Sequence, residues 1–366
     1  MFNRGWILLG ALVVALMLPA TLRAQVQGNC VLCHTMHNSE QGSPVAYTLD
    51  PNGQRVVSEQ PLENLLRTNC IGCHSHAGAE TIVENEGVRV PIVLNLTEPT
   101  YPPDGLGTST LAAGNYHWMI SKGSAYGHNV GGIIDADLRF SPITAPGGEE
   151  RAENCIDCHG SLATATSSCE GCHVPQHHAE GAATVVGYDQ GWYRFLGSVM
   201  QRDLTDEPPT EGVVGIEDPN WEQNPAADRH NVYQGGSGPY ASYLESGVIS
   251  QKCVGCHGLF HSDTATGSTW IRHPVDVAIP DAGEFAAMSL YNPQVPVARP
   301  NVSSADADFS LINRGSDMVS CISCHRPHGS PYPAMLRWGY RAWPGIDEHT
   351  QQDAYNGCAV CHTSKD

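Results

Sequence analysis

The hydrophobic positions of this chain form one long run, at its start, over residues 6–18. Arg4 precedes it, and Pro19 and the small-residue exit Leu22-Arg23-Ala24 follow. A basic head, an apolar centre too short for a comfortable membrane span and a cleavage-type exit are the parts of an export signal. The expected organisation is a signal peptide over 1–24 and a single mature domain over 25–366. No later segment approaches the ~20 apolar residues of a membrane helix. A lipid anchor is not expected, because the first cysteine, Cys30, belongs to a different motif. Beyond the leader the pattern predicts short helices after several motifs, one of them over 63–67 ahead of Cys70, and loops elsewhere.

Composition explains why so little regular structure is expected. Glycine (38) and proline (25) make up about one residue in six, and only 7% of residues are aromatic, so an ordinary side-chain core is thin. Nineteen basic residues face 38 acidic ones, for a formal charge of −19. Losing Arg4 and Arg23 with the leader makes the mature chain more acidic still. Nucleic acid and anionic membrane surfaces are therefore poor partners, since both are gripped by clustered cations.

The cysteines change the picture. All 14 fall into seven Cys-x-x-Cys-His motifs: Cys30-Val-Leu-Cys33-His34, Cys70-Ile-Gly-Cys73-His74, Cys155-Ile-Asp-Cys158-His159, Cys169-Glu-Gly-Cys172-His173, Cys253-Val-Gly-Cys256-His257, Cys321-Ile-Ser-Cys324-His325 and Cys358-Ala-Val-Cys361-His362. This is the pattern of covalent c-type haem attachment. Two thiols add to the two vinyl groups of one haem, and the adjacent histidine reaches the iron as proximal ligand. Zinc knuckles and disulfide frameworks also use paired cysteines, but neither demands a histidine after every second one. With 18 histidines in the chain, random placement would give that seven times on the order of once in a billion. One haem per about 49 mature residues makes the haems the core, with covalent attachment and ligation restraining a short-elemented chain. The expected fold class is mostly irregular, with short α-helices organised around a continuous haem stack.

Eleven histidines remain, and the second axial ligand decides between electron carriage and chemistry at an open iron. His37, His328, His261, His177 and His178 lie three to five residues beyond a motif histidine. Each is too close to reach the far face of its own haem, and is expected to ligate the iron of a neighbour. His128, His230 and His273 sit in loops away from motifs and are further candidates, as is His76, which could equally be a hydrogen-bonding neighbour. His117, between Tyr116 and Trp118, is expected to pack against a haem edge, and His349, beside Asp347 and Glu348, to be solvated. These candidates outnumber the places, so not all can be ligands.

Motif starts are spaced by 40, 85, 14, 84, 68 and 37 residues, without a strict repeat. The third and fourth motifs are expected to hold a touching haem pair, and Asp206-Glu207-Pro208-Pro209 an exposed loop. With a motif near each end of the mature chain, electrons could enter and leave at its termini. Head-to-tail contacts of that kind are heterologous and need not close, so an open filament follows.

In Cys33-His34-Thr35-Met36-His37-Asn38-Ser39, Cys73-His74-Ser75-His76-Ala77-Gly78, Gly127-His128-Asn129, Ala145-Pro146-Gly147-Gly148, Arg272-His273-Pro274, Cys324-His325-Arg326-Pro327-His328 and the motif almost at the C-terminus, the chain resembles the extracellular filament-forming multihaem c-type cytochromes, or cytochrome nanowires. The likeness is to their hexahaem outer-surface kind; it covers both ends and is weakest over 180–250. It implies bis-histidine ligation, closely stacked haems and electron transport to acceptors outside the cell, supplied by upstream periplasmic or outer-membrane cytochromes. It also implies that His37 ligates a haem of the next subunit. The departure is the extra motif at Cys169. Two other functions compete: a periplasmic electron shuttle, and a multihaem reductase of nitrite, hydroxylamine or sulfur oxyanions, which needs an open iron that no altered motif here signals.

Overall fold

The computed structural model describes residues 30–50, 53–62, 65–85, 88–102, 105–107, 109–134, 155–159, 185, 193–196, 212–236, 247–254, 256–257, 273–302, 308–340 and 356–364. The leader, the fourth motif (Cys169, Cys172 and His173), His177, His178, His261, His349 and the 206–209 run lie outside the described residues.

Among the described residues, most of the short helices coincide with the motifs rather than following them, the exception being His117–Lys122. Five are Cys70–His74, Ile156–His159, Gln251–Val254, Cys321–Cys324 and Cys358–Cys361, and the first motif opens with a 3-10 turn over Cys30–Leu32. Segments of four or five residues cannot hold a helix by propensity, since nucleation costs more than one turn returns. Local caps assist: Gly72 N donates to Asn69 Oδ1 at 2.9 Å, and Ser320 and Ser323 form a capping box. One helical turn places positions i, i+3 and i+4 on one face. Both thiols and the histidine of a motif are thereby presented together.

The helix expected over 63–67 is not formed within its described part. Leu65 has φ of +56°, and the backbone there bonds to the first motif instead. Thr35 N donates to Leu65 O and Arg67 N to Cys33 O, both at 2.7 Å. Isolated bridges pair Leu66 with His34 and Thr68 with Tyr47. Hydrogen bonds committed across the chain are unavailable to a helix.

Strands are short. The antiparallel pairs β1 (Ser39–Glu40) with β2 (Ser43–Pro44), β3 (Tyr47–Leu49) with β4 (Arg55–Val57) and β6 (Ile82–Asn85) with β7 (Val88–Pro91) fold the N-terminal part. Parallel β5 (Ser75–His76) and β8 (Leu94–Asn95) set His76 opposite Asn95. A five-stranded sheet, in the order β11-β13-β12-β10-β9, combines β9 (Gly215–Ile216), β10 (Val232–Gln234), β11 (Val277–Ala278), β12 (Ala298–Arg299) and β13 (Met318–Val319). Residues 212–236, where only loops were expected, thus build part of this sheet.

Small apolar clusters sit beside the motifs. Ile71, Leu94, Tyr116, Met119, Val130 and Ile133 pack with Cys155. Tyr193, Val213, Tyr233, Ile249 and Ile322 form a second, and Tyr291, Val297 and Trp338 enclose Cys361 with Cys324 and Cys358. Buried arginines tie distant segments together. Arg326 donates to the carbonyls of Leu111, Ala112 and Gly105 and to the Tyr101 hydroxyl, at 2.6–3.1 Å. Arg299 pairs with Asp317 inside the sheet.

Candidate functional site

The thiols of different motifs adjoin one another. The hydrogen bond between Cys33 and Cys73 pushes Cys33 down to about 6 against the effect of burial, and together with burial pushes Cys73 up. Cys70 likewise meets Cys155, and Cys253 meets Cys321. Cys158 is pushed up by burial, held back by Lys252 and raised further by Cys256. Cys324 is driven up to about 12, first by burial and then by Cys358 and Cys361. Cys158 is nonetheless exposed.

The imidazoles are oriented by the backbone. Nδ1 donates to a carbonyl oxygen in His74 (Pro91, 2.8 Å), His128 (Pro327, 2.8 Å), His159 (Arg194, 3.1 Å), His230 (Ala226, 3.2 Å), His273 (Pro274, 2.9 Å) and His325 (Ala334, 2.8 Å). Carbonyls only accept, so in each ring the proton is on Nδ1 and Nε2 keeps its lone pair. A metal-ligating histidine is held in this way by its surroundings. Burial pushes His159 and His230 down to about 4 and His328 down to about 3, and lowers His74, His128 and His325 as well. All six are neutral at pH 7, the form that binds metal.

Three motif histidines lie close to three of the candidate partners. Ring centroids are 6.0 Å apart for His159 and His328, 6.1 Å for His257 and His128, and 6.2 Å for His362 and His273. Metal–imidazole bonds are ~2.0–2.1 Å, so two rings on opposite sides of one metal have centroids on the order of 6 Å apart. Each pair joins a motif to a residue far away in the chain. His328 meets the third motif, not the sixth motif to which it is adjacent.

Local structure fixes these rings. His328 N donates to Ala113 O at 2.7 Å and Asn115 N to Gly329 O at 3.0 Å, while Tyr116 stacks on the His328 ring at 5.0 Å. Gly114 and Gly329 permit this approach, since a Cβ on Gly114 would lie 1.9 Å from Gly329 O. His362 Nδ1 is 3.2 Å from Glu284 Oε1. His230 stacks on Tyr291 at 3.5 Å, and its Nε2 is buried without a hydrogen-bond partner. His34 and His37 are exposed. His76 lies 3.4 Å from Glu80.

The residues fit a haem. Lys252 Nζ and Arg337 Nη1 are buried without hydrogen-bond partners, a costly arrangement for cations that haem carboxylates would relieve. Among the described residues no cluster of three or more His, Cys, Asp or Glu could hold a bare metal ion, whereas paired thiols with neighbouring imidazoles match a ligated macrocycle. Sequence reasoning missed both cations, whose burial has no local signature. His117, expected to pack against a haem edge, has its Nδ1 donating to Asn95 O at 2.9 Å.

The description "Doubled CXXCH motif" matches residues 314–366, covering the last two motifs. The chain is 23% identical over 367 residues to the C-type cytochrome OmcS of Geobacter sulfurreducens, spanning 84% of this chain and 78% of that protein. Its fold is similar to that of the Outer Membrane Cytochrome S filament from the same organism, with a TM-score of 0.50, 21% identity, and coverage of 87% of this chain and 85% of that one. A second solved structure, the OmcS nanowires seen by cryo-EM, matches with the same TM-score and coverage at 20% identity. Among the described residues no helix is long and apolar enough to cross a membrane.

Proposed function

We propose that this chain, a multihaem c-type cytochrome with the fold of the outer-surface filament cytochromes, is exported, holds seven haems and conducts electrons along a head-to-tail polymer outside the cell. The observation that carries the reading is the set of three imidazole pairs whose ring centroids lie 6.0–6.2 Å apart. In each, a motif histidine meets one that sequence reasoning had already named as a distal ligand.

The fourteen motif cysteines form the thioether links. His34, His74, His159, His173, His257, His325 and His362 are the proximal ligands; the distal set comes from His37, His76, His128, His177, His178, His230, His261, His273 and His328. Haem held between two imidazoles supplies one-electron exchange at an iron with no open position. The protein orients His74, His128, His159, His230, His273 and His325 through Nδ1 hydrogen bonds to backbone carbonyls. Without an axial Met, low potentials are expected, spread by the surroundings of each site.

Surface chemistry supports the polymer. Val31 (61% exposed), Met36 (85%), Val56, Val57 and Leu65 expose apolar side chains around the first motif, and Leu290, Leu311 and Tyr340 do so in the C-terminal part. Two different apolar surfaces suit a heterologous contact that need not close. Exposed His37 beside Met36 is suited to ligating a haem in the next subunit.

The test is cryo-electron microscopy of protein sheared from the cell surface, with haem counted by intact mass. Filaments carrying seven haems per subunit are the expected result. Discrete particles would move the reading to a periplasmic carrier, and a high-spin haem in the pure protein would revive a reductase.

A further inference from the structure

The third and fifth motifs are drawn together by more than one feature. His328 lies close to His159 of the third motif and His128 to His257 of the fifth. These two pairs share a support: the carbonyl of Pro327 accepts the hydrogen bond from His128 Nδ1, and the next residue along the chain is His328. Residues one peptide bond apart, with Cα atoms ~3.8 Å from each other, therefore orient one ring and supply the other. The motifs themselves also meet, since Cys158 lies within electrostatic reach of Lys252 and Cys256.

Neighbour relations of the same kind run through the rest of the chain. Thiol contacts link the first motif to the second and the second to the third. The fifth is linked to the sixth through Cys253 and Cys321, with Ile249 and Ile322 in one apolar cluster. The sixth meets the seventh where Cys324, Cys358 and Cys361 share a cluster. The six described motifs thus form an unbroken row.

We infer that the third and fifth haem sites are immediate neighbours, joined by the Pro327-His328 support, so that electrons pass directly from one to the other. This rests on the reading of the paired histidines as haem ligands.

Two measurements test it. In a cryo-electron microscopy map of the wild-type protein, the third and fifth irons should be adjacent, with the Pro327-His328 backbone beside both. A map with the fourth haem standing between them overturns the inference. The second is redox titration of His328→Met, His128→Met and the double variant, with His328→Met/His273→Met as a distant control. An axial Met raises the potential of its haem. Each single variant should shift one haem upward. Reducing one haem removes a positive charge beside its neighbour and so disfavours the neighbour's reduction, an effect that weakens with distance. The shift from His128→Met should therefore be smaller when His328→Met is already present, while the control pair adds. Additivity in both pairs overturns the inference. Single variants that shift no haem would instead remove the ligand reading beneath it.

Discussion

Gly329→Ala tests how the backbone builds the third site. Gly329 has φ of +133°, a region closed to side-chain-bearing residues. An added Cβ would stand 2.6 Å from Tyr126 O and 2.7 Å from Asn115 O, both backbone atoms with no freedom to swing aside. Forcing the torsion costs ~1–3 kcal/mol. Opening the clash sacrifices the bonds from Asn115 N to Gly329 O (3.0 Å) and from Ser330 N to Tyr126 O (3.1 Å), each worth about 1 kcal/mol. The local penalty is then about 3–5 kcal/mol, about two to three and a half decades in an opening equilibrium at ~1.4 kcal/mol per tenfold. Because His328 N is anchored on Ala113 O beside this contact, the His328 ring is the group displaced. The purified variant should keep seven haems by mass, show one converted to high spin in electron paramagnetic resonance, and lose amide protection around 113–115 and 328–330 by about a hundredfold or more. A variant whose haems all stay low-spin and whose exchange there is unchanged would refute both the strain and the placement of His328.

Other outcomes follow from the same geometry. His37→Ala should abolish filaments while leaving the covalent haems in place; filaments of normal length by cryo-electron microscopy would rule out ligation in trans. His273→Met should raise the potential of a single haem, read by spectroelectrochemical titration, because the His273 ring lies 6.2 Å from that of His362 in the seventh motif. Arg326→Met leaves two buried carbonyls, the half-buried Ala112 carbonyl and the Tyr101 hydroxyl without their donor. At ~1–3 kcal/mol per stranded group it should loosen 101–112 to limited proteolysis, and unchanged cleavage would argue against this tie. Trp338→Ala, which empties a fully buried site beside Cys361, should destabilise the C-terminal cluster by about 3–5 kcal/mol, measured by thermal denaturation.

The sequence by itself determined the chemistry and its local geometry. A Cys-x-x-Cys-His run brings two thiols and a histidine to one face of a single helical turn, so each attachment point is legible wherever the motif stands. His128, His273 and His328 stood out in the sequence as distal candidates because they are histidines beyond the motifs of a thin-cored chain, and each comes within 6.2 Å of a motif histidine. Which motif each one approaches was not legible. His159 and His328 are 169 positions apart, and their meeting depends on two glycines and a chain of backbone hydrogen bonds that leave no periodic trace. The helix expected over 63–67 failed for a related reason: its amides and carbonyls bond across to the first motif, a competition invisible within five residues. Strands of two or three residues are too short to print an alternating pattern, so the five-stranded sheet at 215–319 was read as loop. Lys252 and Arg337 look like ordinary surface cations until packing closes over them. Local spacing fixes what each site binds, while non-local backbone bonding, unreadable from any one segment, decides which sites are neighbours.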